Sequence, residues 1–399
     1  MSIYEESVSA SRAGRQELTL ARSRASRVLV VAGHARSLVN FRGPLLCALR
    51  DRGLVVHVAA PQLSADPALF RILADWGVTC HDIPLQRAGL SPFQDLRGLV
   101  TLCQLLRRVA PDTLLAYTIK PVIYASLAGW IVRVPRRFAL ITGMGYAFTD
   151  EPGGRRAWVQ RLVVFLYGLS LRRTHRVFFQ NPDDEAHCRE LELLPKRVPS
   201  QVVNGSGVDL DHFAPVPLPE GAPVFLLIAR LIADKGIRQY VEAARRVKRL
   251  HGKAYFLLVG GLDDNPESIR RDELEAWCRE GVIEYLGRLD DVRPAMARAS
   301  VFVLPTYYRE GTPRTVLEAM AMGRAIITSD APGCRETVQD GENGYLVPVR
   351  EPEALALAMQ RFLDEPGLAR RMGDRSRQIA EHKYDVHLVN ADMLEGMEL

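Results

Sequence analysis

The chain has 399 residues, too many for one ordinary domain and enough for two. At 47% apolar and 25% charged it has the composition of a soluble globular protein, and its longest apolar stretch, Val122 to Val132, is about half of the roughly 20 residues that a membrane-spanning helix needs. Its net charge of +5 conceals a division, because residues 27–176 hold 20 Lys/Arg against 8 Asp/Glu, a net +12, whereas residues 177–399 sum to −8. A basic first half points to contact with a polyanion or an anionic membrane surface. Nucleic acid is not expected as a partner, since no recognised nucleic-acid motif is present. The six cysteines are scattered, with no CxxC pair and no ligand-like spacing to histidine, so neither a disulfide framework nor a zinc site is indicated.

Residues 1–26 are polar, mixed in charge and rich in Ser, Arg and Ala, without the apolar centre of a secretory signal; a disordered leader is the expectation. Order is predicted from the apolar strand that starts at Arg27 and ends in Gly33-His34. Leu38 to Pro44 then leads into a helix ending near Gly53, and Leu54–Ala60 is a second strand. The rhythm continues with Asp66–Trp76, Thr79–Ile83, a helix over Pro92–Val109 and a strand over Thr113–Thr118. Alternation of this kind predicts a parallel sheet covered on both sides by helices, with ligands at the strand ends that carry the glycine turns. After Tyr117-Thr118-Ile119-Lys120 comes a small-residue helix, then the Gly143 and Gly145 loop with Tyr146 between flexible backbone positions. Trp158–Leu171 is aromatic and aliphatic with arginine pairs at both ends, which suits either a packed core helix or one lying on a membrane surface. Val202–Asp209 is glycine-rich and suits a hinge, and Pro215, Pro217, Pro219 and Pro223 mark a linker.

The second half opens with the strand Val224–Ala229, followed by Arg230 and Lys235, two cations able to converge on a diphosphate. The stretch from Val301 to Ser329 is the most informative. A buried strand at Val301–Leu304 leads to Glu310, then to Thr312-Pro313 as a hydroxyl cap and first-turn proline, then to a helix containing Glu318 and stopped by Gly323. Free amides near Arg314, Thr315 and Val316 would make a seat for phosphate, flanked by two carboxylates able to accept sugar hydroxyls.

Glu310-Gly311-x-Pro313…Glu318-Ala319-Met320-Ala321-x-Gly323 resembles the E-x7-E signature of the family 4 retaining glycosyltransferases, and the resemblance covers about residues 27 to 390. It implies the GT-B fold: α/β, with two Rossmann-like doubly wound parallel-sheet domains facing a cleft. The expected division is an acceptor-binding domain over 27–208, a nucleotide-sugar-binding domain over 209–376, and a final helix over 377–399 that crosses back to the first. By the same resemblance Arg230, Lys235 and Glu310 are the catalytic group, with the two cations on the leaving diphosphate and Glu310 on the sugar hydroxyls. Glu318 takes the ribose hydroxyls, and Gly311, Thr312, Thr315 and Val316 line the diphosphate seat. Gly33 lets backbone approach the donor phosphate, and Arg288 with Leu289 lies in the segment that cradles the donor base.

His34 and Lys120 are expected on the acceptor side, with Gly143 and Tyr146 in a loop similar to that of members elongating polyprenyl-diphosphate-linked sugars. This chain has Thr118 where many relatives carry a histidine nearby. The implied reaction is retaining transfer of a hexose or N-acetylhexosamine, from a donor expected to be UDP-linked, to a lipid-linked saccharide acceptor in surface polysaccharide assembly. It needs neither metal nor cofactor, and a cytoplasmic protein peripheral on the inner membrane face is expected. A nucleotide-sugar 2-epimerase of the same fold and a catalytically silent nucleotide-sugar-binding partner stay open as alternatives.

Overall fold

The computed structural model describes residues 25–85, 92–144, 155–263 and 268–399. The first sheet comprises β1 (Arg27–Val31), β2 (Val55–Ala60), β3 (Thr79–Asp82), β4 (Thr113–Tyr117), β5 (Arg136–Ile141), β6 (Arg176–Phe179) and β7 (Ser200–Val202). Its order is β3-β2-β1-β4-β5-β6-β7, parallel throughout. The second comprises β8 (Val224–Ile228), β9 (Tyr255–Val259), β10 (Glu284–Tyr285), β11 (Val301–Leu304), β12 (Ala325–Ser329) and β13 (Gly344–Val347), ordered β10-β9-β8-β11-β12-β13 and also parallel. Winding reverses between β1 and β4 in one sheet and between β8 and β11 in the other, which opens a crevice at the carboxyl end of each.

In the first half the helices are α1 (Arg36–Asp51), α2 (Pro67–Asp75), α3 (Pro92–Val109), α4 (Ile119–Ile131), α5 (Arg155–Leu171) and α6 (Pro182–Glu190). In the second they are α7 (Ile237–Leu250), α8 (Arg271–Arg279), α9 (Arg293–Ala297), α10 (Arg314–Ala321), α11 (Pro352–Asp364), α12 (Leu368–Ile379) and α13 (Val386–Gly396). The central strands β4, β11 and β12 are buried along their whole length, as continuous apolar runs between two helical layers must be. Helix α4 is buried from Pro121 to Gly129, all round rather than on one stripe, because α3 and α5 pack on either side of it.

The chain crosses between the halves twice, and the crossings pair: the Val208 amide donates to the Tyr384 carbonyl at 2.8 Å and the Val386 amide to the Val208 carbonyl at 3.0 Å. Beyond that pairing α13 lies on α1, where Met393, Leu394 and Met397 join the core around Val28, Val30 and Leu46. Helix α12 stops at Ile379 and is followed by a π-helical turn over Ala380–Tyr384 before α13 begins. Helix α1 begins at Arg36 and holds Pro44 inside it, so that proline is not a lead-in; its consequence appears at the site.

Candidate active site

Strand β11 delivers the chain into a loop that ends at α10. The helix begins at Arg314, one residue later than the Thr312-Pro313 pattern predicts. Pro313 is the cap, with extended backbone and no side-chain capping bond. The Thr312 hydroxyl donates instead to the Gln180 carbonyl at 2.9 Å, on the opposite domain, and so is unavailable to cap its own helix. Of the three amides expected to be free, that of Val316 is not, since it donates to the Pro313 carbonyl at 3.1 Å. Those of Arg314 and Thr315 take no acceptor among the described residues, as the amides of an anion-binding helix start must.

Each carboxylate of the signature has a cationic partner. Glu310 is paired with Lys235, and both side chains are 13% exposed. Lys235 closes a short turn over Ala233–Lys235, and its ammonium lies 5.2 Å from the ring centroid of Tyr308. Gly236 follows with φ of 73°, and a Cβ there would strike the Pro305 carbonyl. The Lys235 turn and the start of the Glu310 loop therefore pack backbone to backbone. Glu318 is buried, and its Oε1 accepts from Arg314 Nε at 2.9 Å. Burial pushes the Glu318 carboxyl up, with Arg314 opposing that shift.

Arg314 also donates to the Asn40 carbonyl of α1 and lies 5.6 Å from the Phe41 ring centroid. Pro44 explains why Asn40 is available. A proline has no amide hydrogen to return to the carbonyl four residues earlier, so Pro44 frees the carbonyl that Arg314 takes across the cleft.

The remaining donor-side residues are more dispersed. Arg230 is half-exposed and pairs with Asp263 at 3.2 Å, so Arg230 and Lys235 enter the cleft on different carboxylates. Arg288 is exposed, its side chain resting over Gly261, and Leu289 is partly buried against the second-domain core. Among the described residues no three His, Cys, Asp or Glu gather where they could hold a metal ion.

On the facing domain, Gly33 lies against Thr118 at the β1/β4 switch point; a Cβ on Gly33 would come within 2.8 Å of the Thr118 hydroxyl. Thr118 itself is held at φ 68° and ψ 155°, a region almost reserved for glycine and a form of strain found where backbone is fixed for function. His34 is exposed, and its carbonyl accepts from the Ser37 hydroxyl at 2.5 Å. Lys120 is bound to Asp95 at 3.1 Å, both mostly buried, so its charge is already matched. Burial beside Asp95 pushes the Tyr124 phenol up to about 12. Tyr146 lies outside the described residues.

Gly143 touches the signature loop directly: at φ 107° it sits against the Gly311 amide and the Arg309 carbonyl. Gly311 in turn lies against Thr142 and the Gln180 side chain. Sequence reasoning missed the residue that grips this loop. Asn181 is fully buried and its Nδ2 donates to the Glu310 carbonyl at 3.1 Å and the Gly311 carbonyl at 2.8 Å, while its Oδ1 caps α6 by accepting from the Asp184 amide at 2.7 Å. An Asn before Pro-Asp-Asp is legible as a helix cap; nothing local signals its cross-domain bonds. Arg335, bonded to Asp183 at 2.7 Å, adds a second bridge.

A family description for "Glycosyl transferases group 1" matches residues 222–365, and one for "Glycosyl transferase 4-like domain" matches residues 39–205. Over 367 residues the chain is 30% identical to the N,N'-diacetylbacillosaminyl-diphospho-undecaprenol alpha-1,3-N-acetylgalactosaminyltransferase of Campylobacter jejuni, covering 88% of this chain and 93% of that protein. The chain belongs to the group 1 glycosyl transferases. It is also 25% identical over 305 residues to the UDP-Gal:alpha-D-GlcNAc-diphosphoundecaprenol alpha-1,3-galactosyltransferase of Escherichia coli, covering 73% and 76% of the two chains. In fold the glycosyltransferase is similar to a sucrose-phosphate synthase from Thermosynechococcus elongatus, with TM-score 0.75, 19% identity and 93% and 98% of the chains covered. It is likewise similar to Anabaena Alr3699/HepE in complex with UDP, with TM-score 0.73, 16% identity and 94% and 99% covered. The expected GT-B architecture of two parallel-sheet α/β domains is thus the observed one.

Proposed function

We propose that this glycosyltransferase moves a hexose or N-acetylhexosamine from a UDP-linked donor, with retention of anomeric configuration, to a hydroxyl of a polyprenyl-diphosphate-linked saccharide. The observation that carries the proposal is the start of α10, where two backbone amides without acceptors among the described residues are bracketed by the Glu310–Lys235 and Glu318–Arg314 pairs. Diphosphate on those amides, with Lys235 and Arg230 turned onto it, would stabilise the charge that develops on the leaving group. Glu318 then meets the ribose, Arg288 and Leu289 the base, and Glu310 the sugar hydroxyls, which orients the anomeric carbon. Gly311 and Thr312 hold the loop, and Gly33 lets the backbone come close. The acceptor hydroxyl attacks from the leaving-group side. The bond from the anomeric carbon to the phosphate oxygen breaks, that to the acceptor oxygen forms, and the acceptor proton passes to the departing phosphate.

The acceptor reading rests on the names of the Campylobacter jejuni and Escherichia coli relatives, both transferases acting on diphospho-undecaprenol saccharides. His34, Lys120 and Gly143 face the acceptor in this reading, with residues 27–208 as the acceptor domain and 209–376 as the donor domain. No helix among the described residues is long and apolar enough to cross a membrane. Peripheral attachment to an anionic inner membrane face is supported by the net +12 of residues 27–176 and by apolar side chains standing out from α3 and α5: Phe93 is 88% exposed, and Leu96, Val100, Leu162 and Phe165 are exposed as well.

The test is transfer from a panel of UDP-, GDP- and ADP-sugars into a bacterial polyprenyl-lipid extract, read by mass spectrometry with Arg230→Ala as control. A lipid that gains one hexose or N-acetylhexosamine only from UDP donors and intact protein is expected. Product on water-soluble acceptors alone would remove the lipid reading.

A further inference from the structure

Arg42, in the second turn of α1, is only 2% exposed, yet its Nε is buried without a partner, and among the described residues it bonds to no carboxylate and no carbonyl. Its guanidinium lies 5.3 Å from the ring centroid of Tyr117, and the other charge it feels is that of Arg314, a cation. Tyr117 gives no counter-charge at neutral pH, because burial pushes its phenol up to about 12 while its hydroxyl hydrogen-bonds with Ser37 at 2.8 Å. Burial draws Arg42 itself down only to about 10, so it stays charged. The buried Arg324 makes the contrast: its Nε and Nη1 each donate to a backbone carbonyl at 3.0 Å, and only its Nη2 is left without a partner, whereas Arg42 has no such carbonyl among the described residues. A buried guanidinium with neither carbonyl nor carboxylate lowers stability unless something else brings the missing charge.

Arg42 stands where such a charge can arrive. Tyr117 ends β4 at the switch point of the first sheet. The neighbouring residues Asn40 and Phe41 touch Arg314 at the first position of α10, beside the amides that take no acceptor among the described residues. Two arginines from opposite domains thus lie close enough to feel each other's charge, and among the described residues only Arg314 has a carboxylate, Glu318. We propose that Arg42 anchors a second anion site, on the first-domain wall of the cleft, that receives a substrate diphosphate. The proposal rests on the glycosyl-transfer reading for its choice of diphosphate, which can come from the nucleotide donor or from the lipid acceptor. A guanidinium offers the forked donor pair that such an oxyanion takes.

The test uses the full chain as wild type, Arg42→Met and Arg42→Lys, with inorganic pyrophosphate, UDP and farnesyl diphosphate as probes in calorimetry and thermal-shift assays. Arg42→Met is expected to melt at a higher temperature than wild type without ligand, and to bind pyrophosphate at least tenfold more weakly; Arg42→Lys is expected to recover part of that affinity. A tenfold loss confined to farnesyl diphosphate assigns the site to the acceptor, and one confined to UDP assigns it to the donor. Binding of all three probes within twofold of wild type overturns the site. Loss of binding together with a lower melting temperature, not recovered by Arg42→Lys, also overturns it, since that is how a structural arginine behaves. These outcomes are independent of turnover, so a chain that binds pyrophosphate through Arg42 but transfers no sugar refutes the transferase reading and leaves the site standing.

Discussion

Asn181 allows the cross-domain grip on the signature loop to be separated from ordinary helix capping. Its Oδ1 caps α6, and its Nδ2 holds the carbonyls of Glu310 and Gly311. Losing a cap costs about 1 kcal/mol. Leaving a buried carbonyl without its donor costs roughly 1–3 kcal/mol, and here there are two, so the cross-domain part amounts to about 2–6 kcal/mol. Asn181→Ala loses both contributions. Asn181→Asp keeps the capping oxygen but turns a second carboxylate oxygen toward both carbonyls and toward Asp184, whose Oδ2 now accepts from Asn181 at 3.1 Å. Asn181→Asp should therefore be destabilised at least as much as Asn181→Ala in urea titration. Its kcat should fall on the order of 100-fold, the effect of displacing a positioning group by about 1 Å. If Asn181→Asp unfolds at the wild-type urea midpoint with kcat within twofold, Asn181 is only a cap and the positioning argument fails.

The paired carboxylates predict different defects: Glu310→Gln should lower kcat on the order of 100-fold with UDP affinity unchanged, and Glu318→Gln should weaken UDP binding about tenfold by calorimetry. Equal loss of affinity in both would contradict their assignments. Asp184 sets a pH dependence, because burial raises its carboxyl from 3.8 to about 6. Between those pH values the folded chain keeps a proton that the unfolded chain releases, so this group's contribution favours the fold at the acid end and is lost as pH rises through about 6. The interval is worth roughly 3 kcal/mol, and the stability of Asp184→Asn relative to wild type should rise by up to that amount between pH 4 and 7 in urea titrations; a constant difference would refute it. Gly236→Ala, with φ at 73° and the Pro305 carbonyl in the way, should destabilise by more than about 1 kcal/mol and displace Lys235, raising KM for the donor; a wild-type KM would show that the turn has room.

The fold was legible because its signals are local. Apolar runs such as Val301–Leu304 and Val224–Ile228 alternate with helical stretches, and that pattern leaves little choice but parallel sheets. The signature pair Glu310 and Glu318 was legible for the same reason, lying on one loop and one helix. The positions that depend on the other domain were not. Thr312 has the identity of a helix cap, yet a carbonyl on the facing domain takes its hydroxyl. Pro44 resembles the start of a helix and instead frees a carbonyl for Arg314. Lys120 reads as a free cation, and Asp95, 25 residues earlier, neutralises it. Asn181, Arg314 and Arg42 derive their meaning from contacts across the cleft, which spacing along one chain does not encode.

The central claim, sugar transfer with retention at the start of α10, is tested most directly by the stereochemistry of the product. UDP-α-linked sugar would be incubated with the enzyme and a short-chain polyprenyl-diphosphate saccharide, and the anomeric proton coupling of the newly formed bond read by NMR. An α-linked product, lost in Glu310→Gln, is what the account predicts. A β-linked product would contradict it, because it requires attack from the face opposite the diphosphate and a base that this arrangement does not supply.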